Sequence, residues 1–351
     1  MMSSWLWFGV LIVAVVAIHW GSERLAKPLE KLRRQWGITA AAGGAVVALA
    51  TASPELGVNI TSAVRGVSGI GLGQALGSNV IAIPLTVTVG YLATRRRRLG
   101  DKENGESDSE AVDEAEKPAE HEQHVEQNLL RVQKEATTVL ALPYLAVLAL
   151  VALLTLPPGW RGLQPVDALI LLAAFVLFLA QAVYRGREQS EDEEWQRQEV
   201  LFAVGGVVVI ALGAYFTVQA TENIVSALGI SQIVGGLYIT AVMSALPEIF
   251  GTWNVARSGQ VTSAVTSVVA DHAYTLTLAF VPLALVAAPV ENFQLYWVNL
   301  VFVTLMPVLY AGFIHFGSDE HGFSLWQVLA LDGVYLLYLG VTLFGVLNIF
   351  S

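Results

Sequence analysis

Apolar runs long enough to cross a lipid bilayer recur along the whole chain, and no other feature restricts its folding as tightly. A hydrocarbon core about 30 Å thick takes ~20 residues of helix to span. Ten such stretches can be placed, at residues 4–20, 38–64, 67–94, 136–156, 165–184, 200–219, 229–256, 260–288, 291–315 and 324–350. The 351 residues are 55% hydrophobic and 14% charged, whereas soluble domains carry about 25% charge. No soluble core could hide that surface. Backbone amides in hydrocarbon must bond within their own segment, and these runs are far longer than barrel strands, so the expected class is an all-α polytopic membrane protein.

Loops facing the cytoplasm retain Lys and Arg. Of the 19 basic residues, Arg65 and Arg161 fall in loops on one side, and the loops of the other side hold the rest, including the run Arg95–Arg98. With an even number of spans, this bias predicts both termini outside the cytoplasm of a prokaryotic plasma membrane. It also supports the count of ten, because miscounting one helix would spoil it. The first span lacks a small-residue cleavage site and reads as a true span, not a signal peptide. Trp5, Trp7, Trp20, Trp36, Trp160 and Trp297 lie near span boundaries, as an interfacial aromatic belt requires. The chain has no cysteine, which removes disulfides, thiolate metal ligands and cysteine catalysis. Residues 99–128 are acidic and nearly free of apolar side chains, the composition of a solvated linker. Arg95–Arg98, just before them, are expected at the anionic lipid surface.

A second charged loop, residues 185–199, divides the spans into five and five: a first half, 1–184, carrying the acidic loop, and a second half, 200–351. The halves resemble each other. The first holds Thr51-Ala52-Ser53-Pro54-Glu55-Leu56 and the second Ser244-Ala245-Leu246-Pro247-Glu248-Ile249. Glycine pairs precede both, at Gly43-Gly44 and Gly235-Gly236, and eleven residues after each Glu stands Gly66 or Gly259. Internal repetition on this scale marks a transporter made of two related units. Since five is odd, the second copy enters the membrane from the opposite face, which predicts an inverted repeat.

A carboxylate in the bilayer costs roughly 3 kcal/mol on the insertion scale. Glu55 and Glu248 are two, and no Lys or Arg falls within their spans at similar depth. The proline before each removes a backbone donor and obstructs the carbonyl four residues back, so each helix is expected to break beside its carboxylate. Freed carbonyls near Thr51 and Ala52, and near Ser244 and Ala245, with hydroxyls and carboxylates, make an oxygen-only set suited to Na⁺ or Ca²⁺. The next spans add Gln74, Ser78 and Asn79 in the first half. At the same offset the second half has Asp271 and His272, a third intramembrane acid and a histidine that is either a satisfied interface residue or a proton carrier. Glu222, Asp167, Glu291 and Asp332 lie near predicted span ends and read as interfacial.

Thr51 through Glu55 followed by Gly77-Ser78-Asn79, with Ser244 through Glu248 in the second half, resemble the two α-repeats of the sodium/calcium exchanger branch of the calcium/cation antiporter superfamily. The resemblance covers about 40 residues in each half. It implies Ca²⁺ exchanged against Na⁺, with Ca²⁺ or Na⁺ against H⁺ as the alternative, by alternating access around a midplane site where Glu55 and Glu248 face each other. It implicates Thr51, Glu55, Ser78, Ser244 and Glu248 as metal ligands, to which Asn79, Asp271 and Thr275 are added by position. The chain departs from the family where a serine becomes Ala52 and Ala245. It departs again where the Asn or Asp four residues after the Gly-Ser-Asn serine becomes Ala82 and Thr275. Asp271 stands one turn before Thr275 on the same helix face. The implied partners are inorganic cations and the lipid bilayer, with no cofactor, no enzymatic activity and no nucleic acid. No phosphate-cradling motif is present, so direct ATP drive is not expected. Gly66-Val67-Ser68-Gly69 matches the Gly-x-Ser-Gly pattern of rhomboid-like intramembrane proteases, with His272 as an imaginable base, but four residues are a weak signal.

Overall fold

The computed structural model describes residues 4–37, 46, 48–96, 129–132, 134–157, 159, 161–185, 195–257, 261–316 and 322–348. The acidic stretch 99–128, residues 186–194 of the linker, Gly43-Gly44, Trp160 and Gly259 lie outside them. Helices run Ser4–Gln35 (α1), Ser53–Val64 (α2), Ser68–Arg96 (α3), Lys134–Thr155 (α4), Pro165–Arg185 (α5) and Arg197–Leu228 (α6). They continue as Gln232–Arg257 (α7), Val261–Leu276 (α8), Val281–Leu285 (α9), Phe293–Phe316 (α10) and Leu325–Val346 (α11). Among the described residues the one sheet is a ribbon of Leu129–Arg131 (β1) antiparallel to Gly322–Ser324 (β2). The all-helical class therefore holds. Among the described residues, seven helices are long and apolar enough to cross a membrane, and two shorter apolar helices, Pro143–Thr155 and Pro165–Gln181, accompany them.

The chain forms two compact units, and neither coincides with a sequence half. The first takes residues 1–79, 143–245 and 270–300; the second takes 80–142, 246–269 and 301–351.

In the first unit, α1 and α6 pack antiparallel along their length. Lys31 pairs with Glu199 at 2.8 Å, while Leu11 at the other end meets Ala220 and Ile224. The contact is close because it is glycine on glycine: a Cβ on Gly21 would lie 2.8 Å from the Gly206 carbonyl oxygen, and one on Gly213 3.0 Å from that of Ala14. Lipid chains are as apolar as leucine, so helices in a bilayer are held by such close approach. The outer faces, with Val13, Val16, Val204 and Leu212 among them, stay exposed, as lipid contact demands. A third glycine contact joins α3 to α7. A Cβ on Gly73 would lie 2.3 Å from the Ile233 carbonyl oxygen, and one on Gly236 2.3 Å from that of Ile70.

The two Pro-Glu motifs fold differently. Helical backbone before residue 52 stops in a turn at Ala52, and α2 restarts at Ser53 with Pro54 in its first turn. There a missing N–H costs nothing, since first-turn donors have no intrahelical partner. The break expected beside Glu55 is present. The break expected beside Glu248 is not: Pro247 lies inside an uninterrupted helix, Ala241–Arg257. Irregularity in α7 comes earlier, where Gly236–Thr240 forms a π-helical turn. That wider turn lies where Gly235-Gly236 press against neighbouring helices, and packing rather than proline sets its place.

In the second unit, Tyr310 donates to the Val265 carbonyl at 3.0 Å. Ser324 and Gln327 form a capping box that starts α11. Asp332, read from the sequence as interfacial, has a hydrogen-bond partner on α3. It is a turn and more inside α11, half-buried, where both carboxylate oxygens lie 3.0 Å from the donating Thr88 hydroxyl.

Candidate cation site

The first turn of α2 presents Glu55, and one turn later on the same face comes Asn59; they are 2% and 0% exposed. A carboxylate suits a helix N-terminus, where the macrodipole is positive. Most of α3 is buried, Gln74, Ser78 and Asn79 included, so these polar side chains meet protein and not lipid. Gln74 of α3 donates Nε2 to Glu55 Oε1 at 3.4 Å. One turn further, Ser78 donates to the Ala75 carbonyl at 3.2 Å, and Asn79 donates to the same carbonyl at 2.6 Å. Asn79 Oδ1 accepts a bond of 3.2 Å from the Tyr144 hydroxyl of α4.

The third contribution is α8. Asp271 is 6% exposed and close enough to Glu55 for the two carboxylates to repel each other. The Thr51 hydroxyl, which donates to the Ala48 carbonyl at 3.0 Å, also faces the Asp271 carboxyl. Thr51 is exposed at the break ahead of α2, so the cluster has an open edge. Thr275 spends its hydroxyl proton on the Asp271 carbonyl at 3.0 Å, one turn back along its own helix. His272 is 1% exposed, its ring 5.9 Å from that of Tyr144.

Oxygen acceptors without donors gather here. Glu55 Oε2, Asp271 Oδ1, Gln74 Oε1 and Asn59 Oδ1 are all buried with no hydrogen-bond partner among the described residues. Each such acceptor costs about 1–3 kcal/mol unless something satisfies it. No Lys or Arg among the described residues pairs with either acid; Lys31 and Arg65 pair instead with Glu199 and Glu222. Also among the described residues, no group of three or more His, Asp or Glu converges. The set is therefore two carboxylates with neutral amide and hydroxyl oxygens, the donor chemistry of a hard cation.

Of the residues singled out from sequence, the structure brings together Thr51, Glu55, Gln74 and Asp271. It places Ser78, Asn79 and Thr275 on the same two helices with their protons engaged locally. Ser244 is half-buried on α7 in the first unit, and Glu248 is half-buried in the second. A serine protease dyad is not formed: both ring nitrogens of His272 lack partners among the described residues. Sequence reasoning missed Asn59 and Tyr144. Asn59 was detectable as an amide four residues after Glu55 in an apolar helix; Tyr144 was one hydroxyl among several in its apolar run, with Thr137, Thr138 and Thr155.

The Tyr144 bond makes one prediction. Tyr144→Phe leaves the Asn79 oxygen buried without a donor and should cost about 1–3 kcal/mol. A lowered melting temperature of the purified protein in detergent, with the helical content unchanged, is the expected reading; an unchanged melt would show that the bond contributes nothing.

The family described as sodium/calcium exchanger protein matches residues 6–184 and 199–344, one match on each side of the charged loop. An uncharacterized membrane protein of Methanocaldococcus jannaschii is 22% identical over 339 residues, covering 94% of this chain and 95% of that one. The antiporter candidate CaxA of Alkalimonas amylolytica is 22% identical over 293 residues, 80% of each chain. Among solved structures, the sodium-calcium exchanger NCX_Mj, soaked with Na⁺ and Sr²⁺, has the same fold with a TM-score of 0.62 at 19% identity, covering 97% of this chain and 99% of that one. With Na⁺ and no Ca²⁺ the score is 0.61. The family match spans both halves and nearly the full length, and on that ground the chain belongs to the sodium/calcium exchanger family of membrane antiporters.

Proposed function

We propose that this antiporter exchanges Ca²⁺ for Na⁺ by alternating access, with Glu55 and Asp271 as the charged ligands of its buried site. One observation carries the reading: two neighbouring carboxylates are buried with no Lys or Arg paired to either among the described residues. Their charge of about −2 matches one divalent cation, or two monovalent ones. A site holding neither is costly to seal from water, because unpaired charge in low dielectric is penalised. The carrier therefore crosses between its two open states only when loaded, which makes it an exchanger and not a leak. Thr51 and Ser78 supply hydroxyl oxygens. Asn79 and Thr275 shape the helices that carry Ser78 and Asp271. The repeat relation gives Ser244 and Glu248 the corresponding duties in the second half.

The same reading holds ten spans in two inverted five-helix repeats, residues 1–184 and 200–351, joined by the loop 185–199, with both termini outside the cytoplasm. Coupling to H⁺ is the second reading, and the adjacency of Asp271 to Glu55 favours it: two acids that repel each other can share a proton in place of a metal ion.

Ion-replacement flux in proteoliposomes separates the two. Vesicles loaded with Na⁺ and diluted into Na⁺-free buffer should accumulate radioactive Ca²⁺, and a proton gradient alone should not drive uptake. Uptake driven by H⁺ without Na⁺ would transfer the assignment to proton coupling. Ca²⁺ flux indifferent to any counter-ion would overturn antiport.

A further inference from the structure

Two carboxylates cannot complete the coordination shell of the cation they attract. Calcium takes six to eight oxygens at roughly 2.3–2.6 Å, and the hydroxyls the family would supply are Ala52 and Ala245 in this chain. Neutral oxygens must come from elsewhere in the cluster, and the structure holds two that are otherwise unexplained.

Gln74 and Asn59 are each 0% exposed, and in each the amide nitrogen is committed. Gln74 Nε2 donates to Glu55 Oε1 at 3.4 Å, and Asn59 Nδ2 donates to the Ala279 carbonyl at 2.8 Å. Turning either amide over would set oxygen against oxygen, so chemistry fixes which atom points where. The two oxygens, Gln74 Oε1 and Asn59 Oδ1, are then left buried with no donor among the described residues. They also belong to one interface. A Cβ on Gly71 would lie 2.5 Å from Asn59 Oδ1, so that oxygen is directed at α3, one turn before Gln74. Asn59 itself stands one turn after Glu55 on α2. The α2–α3 interface thus carries one carboxylate and two oriented amide oxygens, with Asp271 repelling Glu55 from α8.

We propose that Gln74 and Asn59 are ligands of the transported cation through their amide oxygens and that they set its preference for divalent over monovalent ions. The inference rests on the cation-exchange reading above and extends it to residues outside the recognised motifs. Neutral carbonyl-type oxygens complete the shell without adding charge, leaving the total at the value one Ca²⁺ balances. A purely structural role makes a different demand: each substitution removes the bond donated by the amide nitrogen, to the Ala279 carbonyl or to Glu55, so the fold would lose stability while the half-maximal Ca²⁺ concentration stayed unchanged.

The test uses the full-length protein with Gln74→Met, close in shape and lacking the oxygen, and Asn59→Ala. The readouts are the Ca²⁺ concentration giving half-maximal Na⁺-driven uptake and the rise in melting temperature that Ca²⁺ produces in detergent. Each variant should raise the half-maximal concentration about tenfold, equivalent to ~1.4 kcal/mol of binding, with the Na⁺ concentration needed to inhibit uptake changing less. Gln74→Glu keeps an oxygen there and adds charge; it should retain Ca²⁺-induced stabilisation, and it covers the case in which Gln74→Met does not fold. Unchanged half-maximal Ca²⁺ in Gln74→Met and Asn59→Ala, alongside lost transport in Glu55→Gln, would overturn the assignment while leaving the exchange reading intact. Wild-type protein that is not stabilised by Ca²⁺ and does not exchange it would overturn both.

Discussion

Glu55→Gln should abolish counter-ion-driven Ca²⁺ uptake while leaving the protein folded. The substitution keeps the size of the side chain and removes one of the two negative charges in a site where no Lys or Arg compensates among the described residues. The hydrogen bond from Gln74 can persist, since an amide oxygen also accepts from Nε2. What is lost is charge balance: a divalent cation bound by Asp271 alone would leave the pocket with net positive charge in a poor dielectric. We expect apparent Ca²⁺ affinity to fall by about a hundredfold or more, each tenfold step being ~1.4 kcal/mol, so that uptake at ordinary calcium is undetectable. A normal melting curve alongside lost uptake separates a site defect from misfolding. Glu248→Gln should impair transport as well, because the repeat assigns that residue the same part in its own half. Uptake at wild-type rate in both variants would refute the site.

Gly73→Ala and Gly236→Ala should damage the fold itself. A single added carbon on Gly73 would sit 2.3 Å from a backbone oxygen and 2.9 Å from the Leu237 nitrogen. On Gly236 it would meet the Ile70 carbonyl oxygen at 2.3 Å and the Gln74 nitrogen at 2.8 Å. These are backbone atoms and cannot swing aside as a side chain tip does, so α3 and α7 must move apart. Overpacking costs about 1–3 kcal/mol and occasionally more, and here it displaces the helix that carries Gln74 and Ser78. Reduced expression, a lowered melting temperature and weakened transport are expected together. Gly251→Ala, with nothing within 4 Å of the added carbon, is the control and should be neutral or slightly stabilising, since alanine favours helix over glycine. Equal melting of all three variants would remove glycine packing from the account of this helix crossing.

The helical class was legible because hydrophobic length alone dictates it in a bilayer, and the break before α2 was legible because proline chemistry is local. Glu55 and Asp271 stood out for the same reason: carboxylates inside apolar runs demand a cause. What escaped depended on neighbours distant in sequence. Nothing local to Pro247 says that α7 continues through it, or that the irregular turn falls at Gly236–Thr240 instead. The nearness of Asp332 to a span end could not reveal its partner, since the Thr88 hydroxyl that it accepts from is 244 residues away. Asn59 and Tyr144 became informative only when the partners of their polar atoms, Ala279 and Asn79, were known. That each compact unit draws on three separate stretches of the chain is likewise a property of packing, and a sequence divided by its repeats carries no trace of it.

The contrast between Pro54 and Pro247 has a mechanical consequence. Pro54 lies in the first turn of α2, where its missing N–H breaks no intrahelical bond, and the Ala52 N–H to Ala48 and Leu56 N–H to Ala52 carbonyl bonds, at 2.9 and 3.1 Å, tie the turn at Ala52 to both sides. Pro247 withholds a rung from the ladder it occupies, leaving the Met243 carbonyl without its usual donor. A missing rung lowers the cost of flexing at that turn. Two identical dipeptides, occupying matching places in a duplicated plan, thus become a fixed joint in one half and a pliable one in the other.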